Sequence, residues 1–100
     1  MEYYYQQDKQ LNQMLVAEGF DPLSDEGCYV CSVINGVMTV TQRQISRDEV
    51  VKNLVKARKN EWVRNDYYIS QPSAFVKLFD DRFWYIGFGE VRNCDNKEDG

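Results

Sequence analysis

Gly27-Cys28-Tyr29-Val30-Cys31-Ser32-Val33-Ile34-Asn35-Gly36-Val37-Met38-Thr39-Val40-Thr41 is the stretch on which the fold turns. Cys28, Cys31, Ile34 and Met38 recur at spacings of three and four, while Val30, Val33, Val37 and Val40 crowd the other side. A segment apolar nearly all round reads as a central, buried helix. The β-branched residues and Gly36 oppose it, so a helix ending near Gly36 with a strand over 37–41 fits the same residues.

Before this stretch, residues 3–18 place Tyr4, Leu11, Met14 and Leu15 at mostly helical spacings, and Gly19 stands where a helix would end in a left-handed residue. Residues 20–27 form an acidic connector, in which Pro22 stops the helix and Gly27 permits an unusual backbone angle. After it, Ser46-Arg47-Asp48-Glu49 is a capping box, with Ile45 and Val50 as its hydrophobic staple. The helix it opens runs over 47–59, with acids in its first turn and Lys56, Arg58 and Lys59 in its last, the order the helix dipole favours.

Asp66-Tyr67-Tyr68-Ile69 reads as a short extended segment, and Pro72 opens a short helix whose apolar side is Phe75, Val76, Leu78 and Phe79. Residues 82–91 alternate as a strand with both faces aromatic or apolar. A lone strand cannot satisfy its own backbone groups. The expected fold is therefore α+β: three to four helices packed on a small antiparallel sheet that includes strand 82–91, with 67–69 or 37–41 as its partners. Residues 1–92 make one globular domain, and 93–100 a mobile acidic tail.

The 100 residues are 43% hydrophobic and 14% aromatic, enough for a core and too apolar for a disordered chain. No apolar run approaches the roughly 20 residues that span a bilayer, and MEYYYQQDKQ carries no export signal, so the expectation is a soluble, cytoplasmic protein without membrane contact.

There is no histidine, which removes Cys–His and Ser–His–Asp chemistry and the commonest zinc ligand. Cys28, Cys31 and Cys94 are an odd set, expected as free thiols in a reducing compartment. The C-x-x-C of Cys28 and Cys31 has two functional readings, a redox pair or half a zinc site. The alternative is that both pack as small hydrophobes on one helix face. With too few soft ligands for zinc, no metal or cofactor is expected.

Charge is uneven: residues 1–30 carry six acids and one base, whereas residues 42–64 carry seven bases and three acids. A net charge of −4 and a pI near 4.7 speak against direct nucleic-acid binding. They fit an internal match between the basic helix and the acidic N-terminal part, or an acidic body that covers a basic surface on another protein.

Asp25-Glu26-Gly27-Cys28-Tyr29 leading into a buried helix, followed by Ile45-Ser46 and Glu49-Val50 opening the next, resembles small phage and mobile-element proteins related to papain-like C39 cysteine peptidases. The likeness covers about residues 10–79. It implies that Cys28 occupies the nucleophile position, with Gln13 as a poorly spaced counterpart of the oxyanion glutamine. The chain departs from the pattern by lacking the histidine, so the likeness implies a catalytically degenerate scaffold rather than a peptidase.

With no catalytic apparatus and a surplus of tyrosine and tryptophan, the residue types enriched in binding hot spots, the expected activity is that of a non-enzymatic interaction protein. The expected partner-binding residues are Tyr3, Tyr5, Asp25, Glu26, Tyr67, Tyr68 and Trp84. The competing expectation is that the tyrosines fill a small core. By analogy with mobile-element proteins, the partner is a host protein or nucleoprotein complex, and the protein a phage-encoded inhibitor of anti-CRISPR type. Pairing of strand 82–91 across a two-fold axis would make a homodimer.

Overall fold

A computed structural model describes residues 1–80. The expected strand 82–91, with Trp84, and the tail 93–100 lie outside the described residues. Five helices follow one another: α1 (Lys9–Ala17), α2 (Leu23–Glu26), α3 (Cys28–Thr41), α4 (Arg47–Lys59) and α5 (Pro72–Lys77). Among the described residues there is no sheet, only one isolated antiparallel bridge between Val63 and Ile69. The α+β expectation is thereby overturned: the described part is a helical bundle.

The deciding stretch is helical to Thr41, so the strand alternative over 37–41 is also wrong. Each β-branched residue costs a helix only about 0.5 kcal/mol. Burying Val30, Val33, Ile34, Val37 and Met38 on one side of α3 returns about 1.5–3 kcal/mol apiece. Packing therefore outweighs propensity. The threonines also fit the helix, because Thr39 Oγ1 donates to the Asn35 carbonyl at 2.9 Å and Thr41 Oγ1 to that of Val37 at 2.7 Å. The helix stops at Gln42, which takes the left-handed conformation (φ 55°) while its amide donates to the Met38 carbonyl.

The first helix starts later than its apolar spacing suggests, at Lys9, with Asp8 as N-cap accepting from the Leu11 amide at 2.8 Å. Residues 2–5 instead lie along α3 as a strap, held by two side-chain amides. Asn35 accepts from the Tyr4 amide at 2.8 Å and donates to the Tyr4 carbonyl at 2.7 Å. Gln44 does the same for Glu2, at 2.8 Å and 3.0 Å. Two carboxamides thus satisfy backbone groups that a strand would otherwise satisfy. The strap is anchored by Tyr4, buried in the core with its hydroxyl donating to the Ile45 carbonyl. Burial raises the Tyr4 phenol above its ordinary pKa of 10.0.

α1 ends as its sequence predicts: Gly19 has φ 94°, its amide donates to the Val16 carbonyl and the Phe20 amide to that of Leu15. This is a Schellman closure, for which glycine is the favoured residue. Gly27 has no unusual angle, at φ −83°, contrary to expectation. It joins α2 to α3, and an added Cβ would stand 2.4 Å from the Leu23 carbonyl oxygen, so glycine is required by space rather than torsion.

α4 begins and ends as predicted, with Ser46 Oγ accepting from the Glu49 amide at 3.2 Å and the staple residues Ile45 and Val50 buried. Glu49 turns its carboxylate to Arg43 rather than back to the Ser46 amide, so half of the capping box forms. Arg43 also donates to the Phe79 carbonyl, tying the end of α5 to the turn before α4. α1 packs on α2 and α4, and α3 on α2 and α5, around Leu15, Ile34, Met38, Leu54 and Phe75.

The basic α4 and the acidic N-terminal part meet in one ion pair. Arg47 binds Asp8 at 2.8 Å, and this hydrogen bond, with that from the Leu11 amide, holds the Asp8 carboxyl below its usual 3.8. No described helix is long and apolar enough to cross a membrane.

Candidate functional site

The tyrosines divide into core and surface, which the sequence does not show. Tyr67, expected at an interface, is 1% exposed: its ring stacks on Phe20 at 5.4 Å and its hydroxyl donates to the Asp21 carbonyl at 2.6 Å. Burial raises its phenol pKa further than that of Tyr4, with the nearby Asp21 charge adding to the effect. Tyr67 belongs to the core. Its neighbour Tyr68, in the same turn between the bridged residues Val63 and Ile69, is 58% exposed. That turn holds Tyr67 at φ 70°, in the left-handed region.

Tyr68 is fixed from one side. The Arg64 guanidinium lies 5.1 Å from its ring centroid and pairs with Asp66 at 2.7 Å, while Asp66 also accepts from the Tyr68 amide. These residues, with Asp21, Arg58 and Glu61, line an open groove of about 760 Å³. The Arg58 guanidinium stacks 4.2 Å from the Phe20 ring centroid and donates to the Glu18 carbonyl and to Asn65. It therefore ties α4 to the end of α1 and to the Asn65 turn and serves the fold.

Tyr5, 62% exposed, and Tyr3, less so, project from the strap, and the Tyr3 hydroxyl meets Thr39 Oγ1 of α3 at 3.3 Å. Tyr3 and Tyr5 alternate with buried Tyr4, the period of an extended chain. Gln6 Nε2 donates to the Ser24 carbonyl of α2 at 2.7 Å, and the Asp21 amide donates to the Asn65 carbonyl at 3.0 Å. α2, about 6 Å long, begins two residues after Asp21, and the strap side meets it through Gln6 at Ser24. It carries Asp25 and Glu26, both exposed. Four of the expected contact residues, Tyr5, Asp25, Glu26 and Tyr68, are exposed, whereas Tyr67 is not, and Tyr3 lies further along the strap. Trp84 lies outside the described residues.

Cys28 is the first residue of α3 and is exposed, whereas Cys31 is buried, so the expectation that both pack as hydrophobes holds for Cys31 alone. The two thiols share the lining of a small cavity of about 120 Å³ with Tyr4, Tyr5, Gln6 and Asn35. Gln13 does not reach it. Among the described residues no three His, Cys, Asp or Glu side chains stand together to hold a metal ion.

Arg64, Asn35 and Gln44 carry no sequence signal of their roles. Each acts on a partner, and for Asn35 and Gln44 that partner is 31 or 42 positions away, beyond any local pattern. No protein-family model, curated protein or solved structure matches the chain.

Proposed function

We propose that the protein is a small non-enzymatic interaction module that binds a basic surface of a larger macromolecule through the acidic α2 and the exposed tyrosines Tyr5 and Tyr68. The observation that supports this reading is the exposure of Tyr5 and Tyr68, about six-tenths each, together with that of Asp25 and Glu26 on α2. Tyrosine rings and carboxylates together suit lysine and arginine side chains, through cation–π contact and charge. Basic surfaces of that kind occur on proteins that handle nucleic acid, so a host protein or nucleoprotein complex is the proposed partner class, and inhibition by covering that surface the proposed effect. The phage-encoded, anti-CRISPR type of inhibitor is proposed on the sequence resemblance alone.

The test is capture from host lysate at stepped salt, followed by affinity measurement on the recovered partner. The Tyr5→Ala/Tyr68→Ala protein should bind about 30-fold more weakly, the equivalent of a hot-spot loss of about 2 kcal/mol, with unchanged melting. A partner held equally by the double variant, or no stoichiometric partner, rules out this face. The second reading, a catalytically degenerate relative of papain-like peptidases, is favoured by the exposed Cys28 at the start of α3. Under it, partner capture becomes covalent and is lost in Cys28→Ala.

A further inference from the structure

We propose that Cys28 and Cys31 form a redox pair, in which Cys28 accepts the sulfur of a low-molecular-weight disulfide and Cys31 resolves it into an intrahelical disulfide. The proposal is independent of partner binding. It rests on three features of the α2–α3 junction. First, residues three apart in the opening turn of a helix have Cα atoms about 5 Å apart, from helix rise and radius, inside the roughly 4.4–6.8 Å that disulfides span. Second, Cys28 and Cys31 both line the same cavity of about 120 Å³, which Tyr4 and Tyr5 of the strap also line. Third, their exposure is asymmetric: a reagent meets Cys28 at the surface, while Cys31 is buried.

Burial pushes the Cys31 thiol up to about 12, with Cys28 and Asp8 adding to the shift. Cys31 therefore stays protonated at neutral pH and does not compete for the first attack. In the first step the Cys28 thiolate attacks the small-molecule disulfide, its S–S bond breaks, and one thiolate leaves and takes a proton from water. In the second, Cys31 gives up its proton and attacks the Cys28 sulfur. The mixed disulfide breaks, and the second small thiolate leaves with that proton. Two protein thiols lose two electrons in total, and one small disulfide is reduced to two thiols.

The experiment uses the full chain carrying Cys94→Ser, treated with oxidised glutathione, quenched with acid at timed points, alkylated and mapped by mass spectrometry. The expected course is a glutathione adduct on Cys28 alone, followed by its loss as an internal Cys28-to-Cys31 disulfide appears with a mass decrease of two hydrogens. In urea, adducts should appear on both cysteines from the start, since the asymmetry belongs to the fold. Cys31→Ala should hold the Cys28 adduct indefinitely. An adduct that persists on Cys28 in the Cys94→Ser protein, a first adduct on Cys31 in the native chain, or no reaction at either thiol overturns the proposal. The Cys94→Ser protein separates these outcomes even if Cys31→Ala fails to fold.

Discussion

Replacing Asn35 by alanine should release the N-terminal strap. The Asn35 amide makes both of its bonds to one residue, accepting from the Tyr4 amide at 2.8 Å and donating to the Tyr4 carbonyl at 2.7 Å. Each partly buried bond contributes about 1 kcal/mol net, so the pair amounts to about 2 kcal/mol. For a domain of this size that lowers the melting temperature by about 8–16 °C. Thermal and urea unfolding followed by circular dichroism measure the loss, and amide hydrogen exchange shows where it arises: Tyr4 should lose protection while α4 retains its own. Asn35→Asp sharpens the test. At neutral pH its carboxylate still accepts from the Tyr4 amide but faces the Tyr4 carbonyl, and on acidification the protonated carboxyl donates again, so stability should recover as pH falls. A loss below about 0.5 kcal/mol in Asn35→Ala, less than one ordinary hydrogen bond, would refute the view that side-chain amides hold the strap.

The Asp8–Arg47 pair predicts a pH effect of definite sign. Because the folded Asp8 carboxyl lies below its usual 3.8, its contribution is present above that value and is lost as pH falls through the folded one. Asp8→Asn keeps an N-cap side chain and removes the charge, so its stability should fall less than that of the wild type as acid titration passes below pH 3.8. Tyr67→Phe removes the hydroxyl that satisfies the Asp21 carbonyl and keeps the stack on Phe20, so urea unfolding should show a loss of about 1 kcal/mol. Tyr67→Ala should cost about 3–5 kcal/mol, as for a buried aromatic, whereas Tyr68→Ala should leave unfolding nearly unchanged. Gly27→Ala forces a Cβ against the Leu23 carbonyl and side chain, and calorimetry should report a destabilisation of about 1–3 kcal/mol.

Local chemistry is legible wherever the deciding groups are close in sequence. The α4 cap at Ser46, its staple of Ile45 and Val50, the glycine closure of α1 at Gly19 and the proline start of α5 at Pro72 all involve partners within five positions. The start of α1 is not legible in this way, because Tyr4 has helical spacing to Leu11 and Leu15, yet its hydroxyl is claimed by Ile45 and its backbone by Asn35. The same limit applies to the site. Consecutive tyrosines make some exposure unavoidable, but whether Tyr67 or Tyr68 faces inward depends on Phe20 and Asp21, more than 40 residues earlier.

The sequence by itself determined where α3, α4 and α5 start and where α1 and α4 stop, the absence of histidine chemistry, and the three-residue spacing that places Cys28 and Cys31 in one helical turn. Tertiary structure alone decided that 37–41 continues as helix, that residues 2–5 leave the helical path to lie on α3, and that one cysteine of the pair is buried and the other exposed. The division has one physical cause. Caps and turns are settled by hydrogen bonds within a few residues. The choice between helix and strand for an apolar segment is settled by burial worth several times the propensity difference, and burial depends on which distant residues arrive to cover it.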